Sequence, residues 1–203
     1  MRQGIHYNII ILAAGASTRL GQPKQLLKHN EANLIQHAVH EALAAGPQKV
    51  MVVLGSDGDK IAEGINQHQA TILYNKQWEE GIASSIRTGI EQSKILSPAI
   101  DAVILMVCDQ PYVSSSLLRN LVTQHSETGK LIVASQYKGT LGTPVLFHKK
   151  FFPALLKLSG DSGAKHIILE NKEQVQAVRF PLGHIDIDNM ADYEMLIKKN
   201  SSE

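Results

Sequence analysis

The sequence predicts a three-layer α/β/α domain built on a mostly parallel sheet, and three observations carry that prediction. Strand-like and helix-like segments alternate from one end of the chain to the other, which calls for crossover connections between parallel strands. The strand-like runs are unbroken blocks of apolar and β-branched residues, such as IIILA at 9–13 and AVILMV at 102–107. Such blocks suit strands buried on both faces. A length of 203 residues, with 43% hydrophobic and 19% charged residues, fits one folded core and not a disordered chain.

The elements follow in order. The first strand covers 9–13. A helix is expected over 34–45, with Ile35, Ala38, Val39, Ala42 and Leu43 on one stripe and Gly46-Pro47 as its stop. Residues 50–54 form the next strand, ended by Gly55, and Asp57 is expected to cap a helix carrying Ile61, Ala62 and Ile65. A third strand covers 71–74, a helix 82–95 and an apolar strand 102–107. Ser114, Ser115 or Ser116 opens a helix containing Leu117, Leu118, Leu121 and Val122. Another strand is expected at 131–134, after which the pattern loosens. Residues 144–147 and 175–180 read as extended, and 152–158, 163–170 and 191–198 as helical. With no repeat or linker, residues 1–203 form one domain, and a disordered tail is expected at 200–203.

Composition excludes several function classes. Twenty basic residues against 19 acidic ones leave a net charge of +1, without the basic face that nucleic acid or an anionic membrane requires. The single cysteine, Cys108, rules out an internal disulfide or a cysteine zinc cage and fits a reducing compartment. The apolar run at 9–14 is too short for a membrane span or a cleaved signal, so a cytoplasmic location is expected. Nine histidines are scattered along the chain, His68 among them. His37 and His40 lack the i, i+4 spacing of a helical zinc pair and read as a solvated face.

In a sheet of this kind ligands sit beyond the carboxyl ends of the strands. The first strand runs there into AGASTRLGQPKQLL at 14–27. Gly15 and Gly21 permit tight turns and close approach of a ligand, and the surrounding N–H groups suit phosphate oxygens. Arg19 and Lys24 add two cations, a forked guanidinium and a compact ammonium. The dinucleotide fingerprint is absent because Ser17 stands where its second glycine belongs. The P-loop pattern fails too, since five residues separate the glycines and Gln22 replaces the lysine. An ordinary strand-to-helix loop runs about 2–6 residues, and this one is about twice that.

A second feature lies at the end of the strand 102–107, where the chain reads CDQP. Asp109 there faces the ligand crevice. Its carboxylate suits Mg²⁺, which binds through one or two carboxylates and substrate phosphates; the plainer role is a cap or turn. Gly81, Ser84, Ser85 and Arg87 in WEEGIASSIRTG read equally as a ligand contact and as a helix start. Gly142 and Pro144 in YKGTLGTPVLF, and Asp161 and Gly163 in GDSGAK, by themselves mark loops. Alternation in IDID at 185–188 puts Asp186 and Asp188 on one face of a strand. Asp188 is then a second metal contact or the cap of the last helix, and Asp186 a weaker candidate. Cys108, beside Asp109, is a poor nucleophile, and Trp78 reads as a packing residue.

The string LAAGASTRLGQPKQLL resembles the signature loop of nucleotidyltransferases, in particular the molybdenum-cofactor cytidylyltransferase branch of the MobA-like NTP transferase group. The resemblance extends from about residue 10 to 193, with the motifs in the same order. It implies a Rossmann-like fold of the nucleotide-diphospho-sugar transferase type. It implies transfer of CMP from CTP to a molybdopterin-type acceptor, Mg²⁺ or Mn²⁺ as cofactor, and a molybdoenzyme as recipient of the product. Leu12, Ala13, Ala14, Gly15, Ala16, Ser17, Gly21, Lys24, Gly81, Ser84 and Ser85 would hold the nucleotide. Arg19, Lys24 and Asp109 would be catalytic, with Asp109 and Asp188 on the metal. Gln110, Gly142, Pro144, Asp161 and Gly163 would face the acceptor. Ile82, Leu141, Thr143 and Lys165 depart from the common choices of that group.

Overall fold

A computed structural model describes residues 4–65 and 69–200, so His68 and the tail beyond Asn200 lie outside the described residues. Strand β1 (Tyr7–Ala13) is followed by a long loop and a small hairpin of β2 (Lys28–His29) and β3 (Ala32–Asn33). Then come α1 (Leu34–Ala44), β4 (Lys49–Leu54), α2 (Gly58–Ala62), β5 (Thr71–Tyr74) and α3 (Ile82–Leu96). The second half contains β6 (Ala102–Val107), α4 (Ser115–Thr128), β7 (Ile132–Tyr137) and β8 (Thr140–His148). It ends with α5 (Phe152–Leu155), α6 (Lys165–Glu170), β9 (Val175–Arg179) and α7 (Met190–Asn200).

Seven strands form one sheet in the order β5-β4-β1-β6-β8-β7-β9. β8 runs antiparallel to both its neighbours, and the remaining pairings are parallel. Period-two alternation sorts the central side chains to two faces. Ile9, Ile11, Val50, Val52, Ile104 and Met106 pack with Ile35, Ala38 and Ala42 of α1 and with Leu118 and Leu121 of α4. Ile10, Leu12, Met51, Val53, Val103 and Leu105 pack with Ala83, Ile86 and Ile90 of α3 and with Ile167 and Ile168 of α6. The expected three-layer α/β/α architecture is therefore the observed one. No described helix is long and apolar enough to cross a membrane.

Several local expectations need correction. Asp57 stands at the start of α2 with φ 53°, but its side chain accepts from Ser56 Oγ and does not cap. That helix ends at Ala62, so Ile65 is buried beyond it. α5 stops at Leu155, and the carbonyl of Leu158 is instead taken by Arg87 at 2.7 Å. Residues 163–164 precede α6 in a turn, and Ile185 to Asp188 form no strand. After β9 the sheet has ended, so this segment has no ladder to join. It crosses back over the strand ends, and Ile187 N–H donates to Asp109 O at 3.0 Å.

β1 lies between β4 and β6, so the chain turns to one side after β1 and later returns to the other. Such a switch of direction opens a crevice at the carboxyl ends of the two strands. Leu12 pairs in register with Val107, which brings the loop after Ala13 and the segment at Asp109 side by side. A small cluster of Leu20, Leu27, Leu34, Ile187 and Leu196 ties this loop to the last helix.

Candidate active site

The loop after β1 is shaped by a few local bonds. Ser17 adopts φ 51° and Gly21 φ 67°, and Leu20 N–H closes a turn onto Ser17 O at 2.9 Å. A side chain at Ser17 makes this left-handed conformation unusual, and its hydroxyl compensates locally by accepting from Lys24 N–H at 3.0 Å. A 3₁₀ turn over Lys24–Leu26 then places Lys24 toward the crevice, while Gln25 is 1% exposed beneath the loop.

A cavity of about 360 Å³ opens at this point. Its walls include Leu12, Ala13, Ala14, Gly15, Ala16 and Lys24 from the first strand and its loop. Asp109 and Cys108 close it from the end of β6, and Trp78, Glu79, Gly81, Ile82 and Ser85 from the start of α3. Ser17, Arg19, Gly21, Ser84 and Asp188 lie outside its lining. Ser84 Oγ donates to Gly81 O and accepts from Asn75 Nδ2, both at 2.8 Å, so it braces the turn from behind. Arg87 is likewise committed, to Leu158 O and to Glu80 at 2.6 Å.

The charges converge on one cation. Lys24 Nζ donates to Asp109 Oδ2 at 2.5 Å and to Asp188 Oδ1 at 3.1 Å, and Arg19 lies 3.3 Å from Asp188 Oδ2. Burial works to lower the lysine pKa, but the adjoining Asp109 charge and the hydrogen bonds to both carboxylates outweigh it and hold Lys24 above its usual range. For Asp188, burial raises the carboxyl, whereas Lys24 and Arg19 more than offset it and hold it below the carboxylate range. Asp186 shifts the opposite way, raised by burial and then by the negative charge of Asp188. It lines a separate cavity with Tyr112 and Lys199, so the two aspartates do not share one face. The cap of α7 is Asn189, whose Oδ1 accepts from Asp192 N–H at 3.1 Å while Asp192 accepts from Asn189 N–H at 3.0 Å. Asp188 is thereby left to pair with Lys24 and Arg19.

Two carboxylates meeting at one ammonium form an all-oxygen donor set suited to a hard divalent cation completed by phosphate and water. Among the described residues no group of three or more histidine, cysteine or acidic side chains could hold a metal. Cys108 is buried, and burial followed by the charge of Asp109 pushes its thiol up to about 12, which leaves it un-ionised near neutrality.

Gly142 and Gly163 border a second cavity of about 270 Å³, with Tyr137, Thr143 and Lys165 among its polar groups. Ile86, Leu105, Val145 and Ile168 make most of the remaining wall apolar, and Leu12, Ile82 and Val107 belong to both cavities. Asp161 belongs to the first cavity. Gln110 is buried and works behind the wall, donating to Gly183 O at 2.7 Å and accepting from Thr143 Oγ1 at 3.1 Å. Pro144 stands outside the lining, its carbonyl taken by Ser135 Oγ at 2.7 Å. Sequence reasoning missed Gln25 and set Trp78 aside as packing. No periodicity marks either, although both adjoin segments singled out for other residues. His37 is half-buried, edge-on to His29 with centroids 4.7 Å apart, and not wholly solvated.

A glycine loop with two cations facing an aspartate across the switch point of a three-layer sheet defines the class: a nucleotidyltransferase. Residues 9–175 match the MobA-like NTP transferase domain, and the chain belongs to that family. It is 27% identical to the purine catabolism protein PucB of Bacillus subtilis (strain 168), over 92% of this chain and 94% of that one. Among solved structures it is similar to an Rv0371c homolog from Mycobacterium sp. strain JC1, with 26% identity and TM-score 0.83 over 97% and 98% of the two chains. It also shares the fold of Rv0371c from Mycobacterium tuberculosis H37Rv in complex with manganese, at 23% identity and TM-score 0.79 over 95% and 98%.

Proposed function

We propose that this nucleotidyltransferase moves CMP from CTP to the terminal phosphate of a molybdopterin-type acceptor and releases pyrophosphate. The observation that carries the reading is the meeting of Lys24 with Asp109 on the wall of the glycine-loop cavity, with Asp188 bound to the same ammonium from outside that wall. An in-line displacement at the α-phosphorus needs positioned oxygens and neutralised charge, with no covalent intermediate on the protein. Backbone N–H groups of residues 14–17 and Gly21 serve the triphosphate, and Arg19 offsets its outer charge. Lys24 lines the cavity beside Asp109, where its ammonium offsets charge developing at the α-phosphate. Asp109 and Asp188 would hold Mg²⁺, with Mn²⁺ as an equivalent, and that ion would supply Lewis-acid polarisation of the phosphoryl oxygens. The manganese in a neighbour of the same fold supports a divalent ion of this kind.

Ala14 lies on the cavity wall, and in this reading its methyl leaves less room for a purine than a glycine would, which favours cytosine. Gly142 and Gly163 border the chamber that takes the acceptor, and its largely apolar wall suits a flat heterocycle better than a sugar with many hydroxyls. Incubation of the protein with molybdopterin, Mg²⁺ and each NTP in turn, with pyrophosphate measured, tests the whole reading. Release with CTP is expected. Release only with a sugar phosphate as acceptor would shift the substrate class. No release with any pairing would favour a cofactor-binding chaperone and end the proposal.

A further inference from the structure

Three successive carbonyls of the loop, those of Ala13, Ala14 and Gly15, are all tied back into the protein. Gln25 Nε2 donates to Ala13 O at 2.8 Å and to Gly15 O at 3.2 Å, and Ser56 N–H donates to Ala14 O at 3.3 Å. Gln25 Oε1 accepts from Ser17 Oγ at 3.4 Å, and the same hydroxyl accepts from Lys24 N–H. Gln25 is 1% exposed, and its amide uses both its N–H donors on the loop.

We infer that Gln25 is the positioning residue of the nucleotide loop: it holds the carbonyls of Ala13 and Gly15 back so that an anionic ligand meets N–H groups. The inference rests on reading this cavity as a triphosphate site. A peptide group is planar and trans, so a carbonyl turned toward Gln25 sends the N–H of the next residue the opposite way. Ala14 and Ala16 are fixed in this manner. A carbonyl oxygen turned into the cavity would repel phosphate oxygens. Among side chains of this length, only an amide offers two donors to two carbonyls and an acceptor to a third partner. Glutamate brings charge and no donor, methionine no strong hydrogen-bonding group. Because Gln25 follows Lys24 directly, the anchor that shapes the loop also fixes the root of the catalytic ammonium.

The test compares wild type with Gln25→Met and Gln25→Glu. Binding of labelled CTP with Mn²⁺ is measured by equilibrium dialysis between pH 5.5 and 8, beside steady-state kinetics and melting. Gln25→Met keeps the packing volume and is expected to melt within a few degrees of wild type. It should bind CTP about tenfold more weakly, with KM for CTP rising more than kcat falls. Gln25→Glu should bind more weakly still at pH 8 and recover in part as the pH falls, because a protonated carboxyl regains one donor to a carbonyl. Wild-type affinity in Gln25→Met, or no recovery in a folded Gln25→Glu, overturns the assignment. Should Gln25→Glu fail to fold, Gln25→Met decides alone. If wild type binds no NTP and releases no pyrophosphate, the nucleotide reading itself fails and takes this role with it.

Discussion

Replacing Lys24 by methionine keeps the apolar stem of the side chain and removes the charge that joins three segments. Lys24 and Asp109 side chains are 17% and 18% exposed, whereas Asp188 is 38% exposed and its share is screened accordingly. Two unit charges about 4 Å apart attract by about 4 kcal/mol at an effective dielectric near 20. Relief of the lysine's own desolvation offsets much of that, and repulsion between the two abandoned carboxylates adds back. A net loss of about 1–2 kcal/mol follows. At about 2–4 °C per kcal/mol for a chain of this size, Lys24→Met should melt about 2–8 °C below wild type at pH 7.

The pH dependence of that gap identifies its origin. Asp188 is held below its unfolded pKa of about 3.9 in the folded protein, against the effect of burial, by the Lys24 hydrogen bond and charge and by Arg19. Its stabilising effect is therefore full above the unfolded value and lost as the pH falls through the depressed one. The melting gap should shrink from pH 5 toward pH 3. In the variant, millimolar Mn²⁺ should restore part of the lost melting temperature by taking the place of the ammonium. Scanning calorimetry across pH, with and without Mn²⁺, reads all three effects. A variant as stable as wild type at pH 7, or a gap unchanged at pH 3, refutes the electrostatic account.

Other outcomes follow from the packing and the thiol. Gly89→Ala places a methyl 2.6 Å from Ile10 Cγ2 in the layer between α3 and β1, and overpacking of about 1–3 kcal/mol should lower the melting temperature measurably by circular dichroism. Gly81 has φ 102°, and a Cβ there would lie 2.5 Å from Gly160 O. Gly81→Ala should therefore weaken CTP binding in equilibrium dialysis at least about tenfold, as the wall formed by Trp78, Ile82 and Asp161 shifts. Cys108, its thiol pushed up to about 12 by burial and by Asp109, should ignore a disulfide reagent at pH 8 and react once the chain is unfolded in guanidinium. Rapid labelling of the folded protein would contradict that environment.

Part of the fold and site was legible in the chain because local chemistry suffices for it. The runs at 71–74 and 102–107 are strands with the expected ends, since a continuous apolar block has few other places to go. Ser114 caps α4 as the serine cluster suggests, its Oγ accepting from Leu117 N–H at 3.3 Å. Gly15 and Asp109 stood out because they follow strand ends, where a parallel sheet opens its crevice, and Lys24 because of the make-up of the long loop after β1. Short, weakly patterned segments were not. α5 and α6 are curtailed because their ends take part in bonds to α3 and in turns that no periodicity marks.

The amino-acid order alone determined the layers, the strand centres and the chemical content of the loop after β1, all of which follow from neighbours within a few residues. Tertiary structure decided which aspartate joins Lys24. Asp186 and Asp188 are two residues apart and chemically alike, yet the bond from Ile187 to Asp109 and the burial of Ile187 turn one toward the crevice and the other away. It decided also that Asp161 belongs to the glycine-loop cavity and that Gln110 stands behind the wall of the second cavity. The reason is physical: contacts between segments 85 and 164 residues apart are set by how helices and strands pack, and sequence spacing carries no record of that packing.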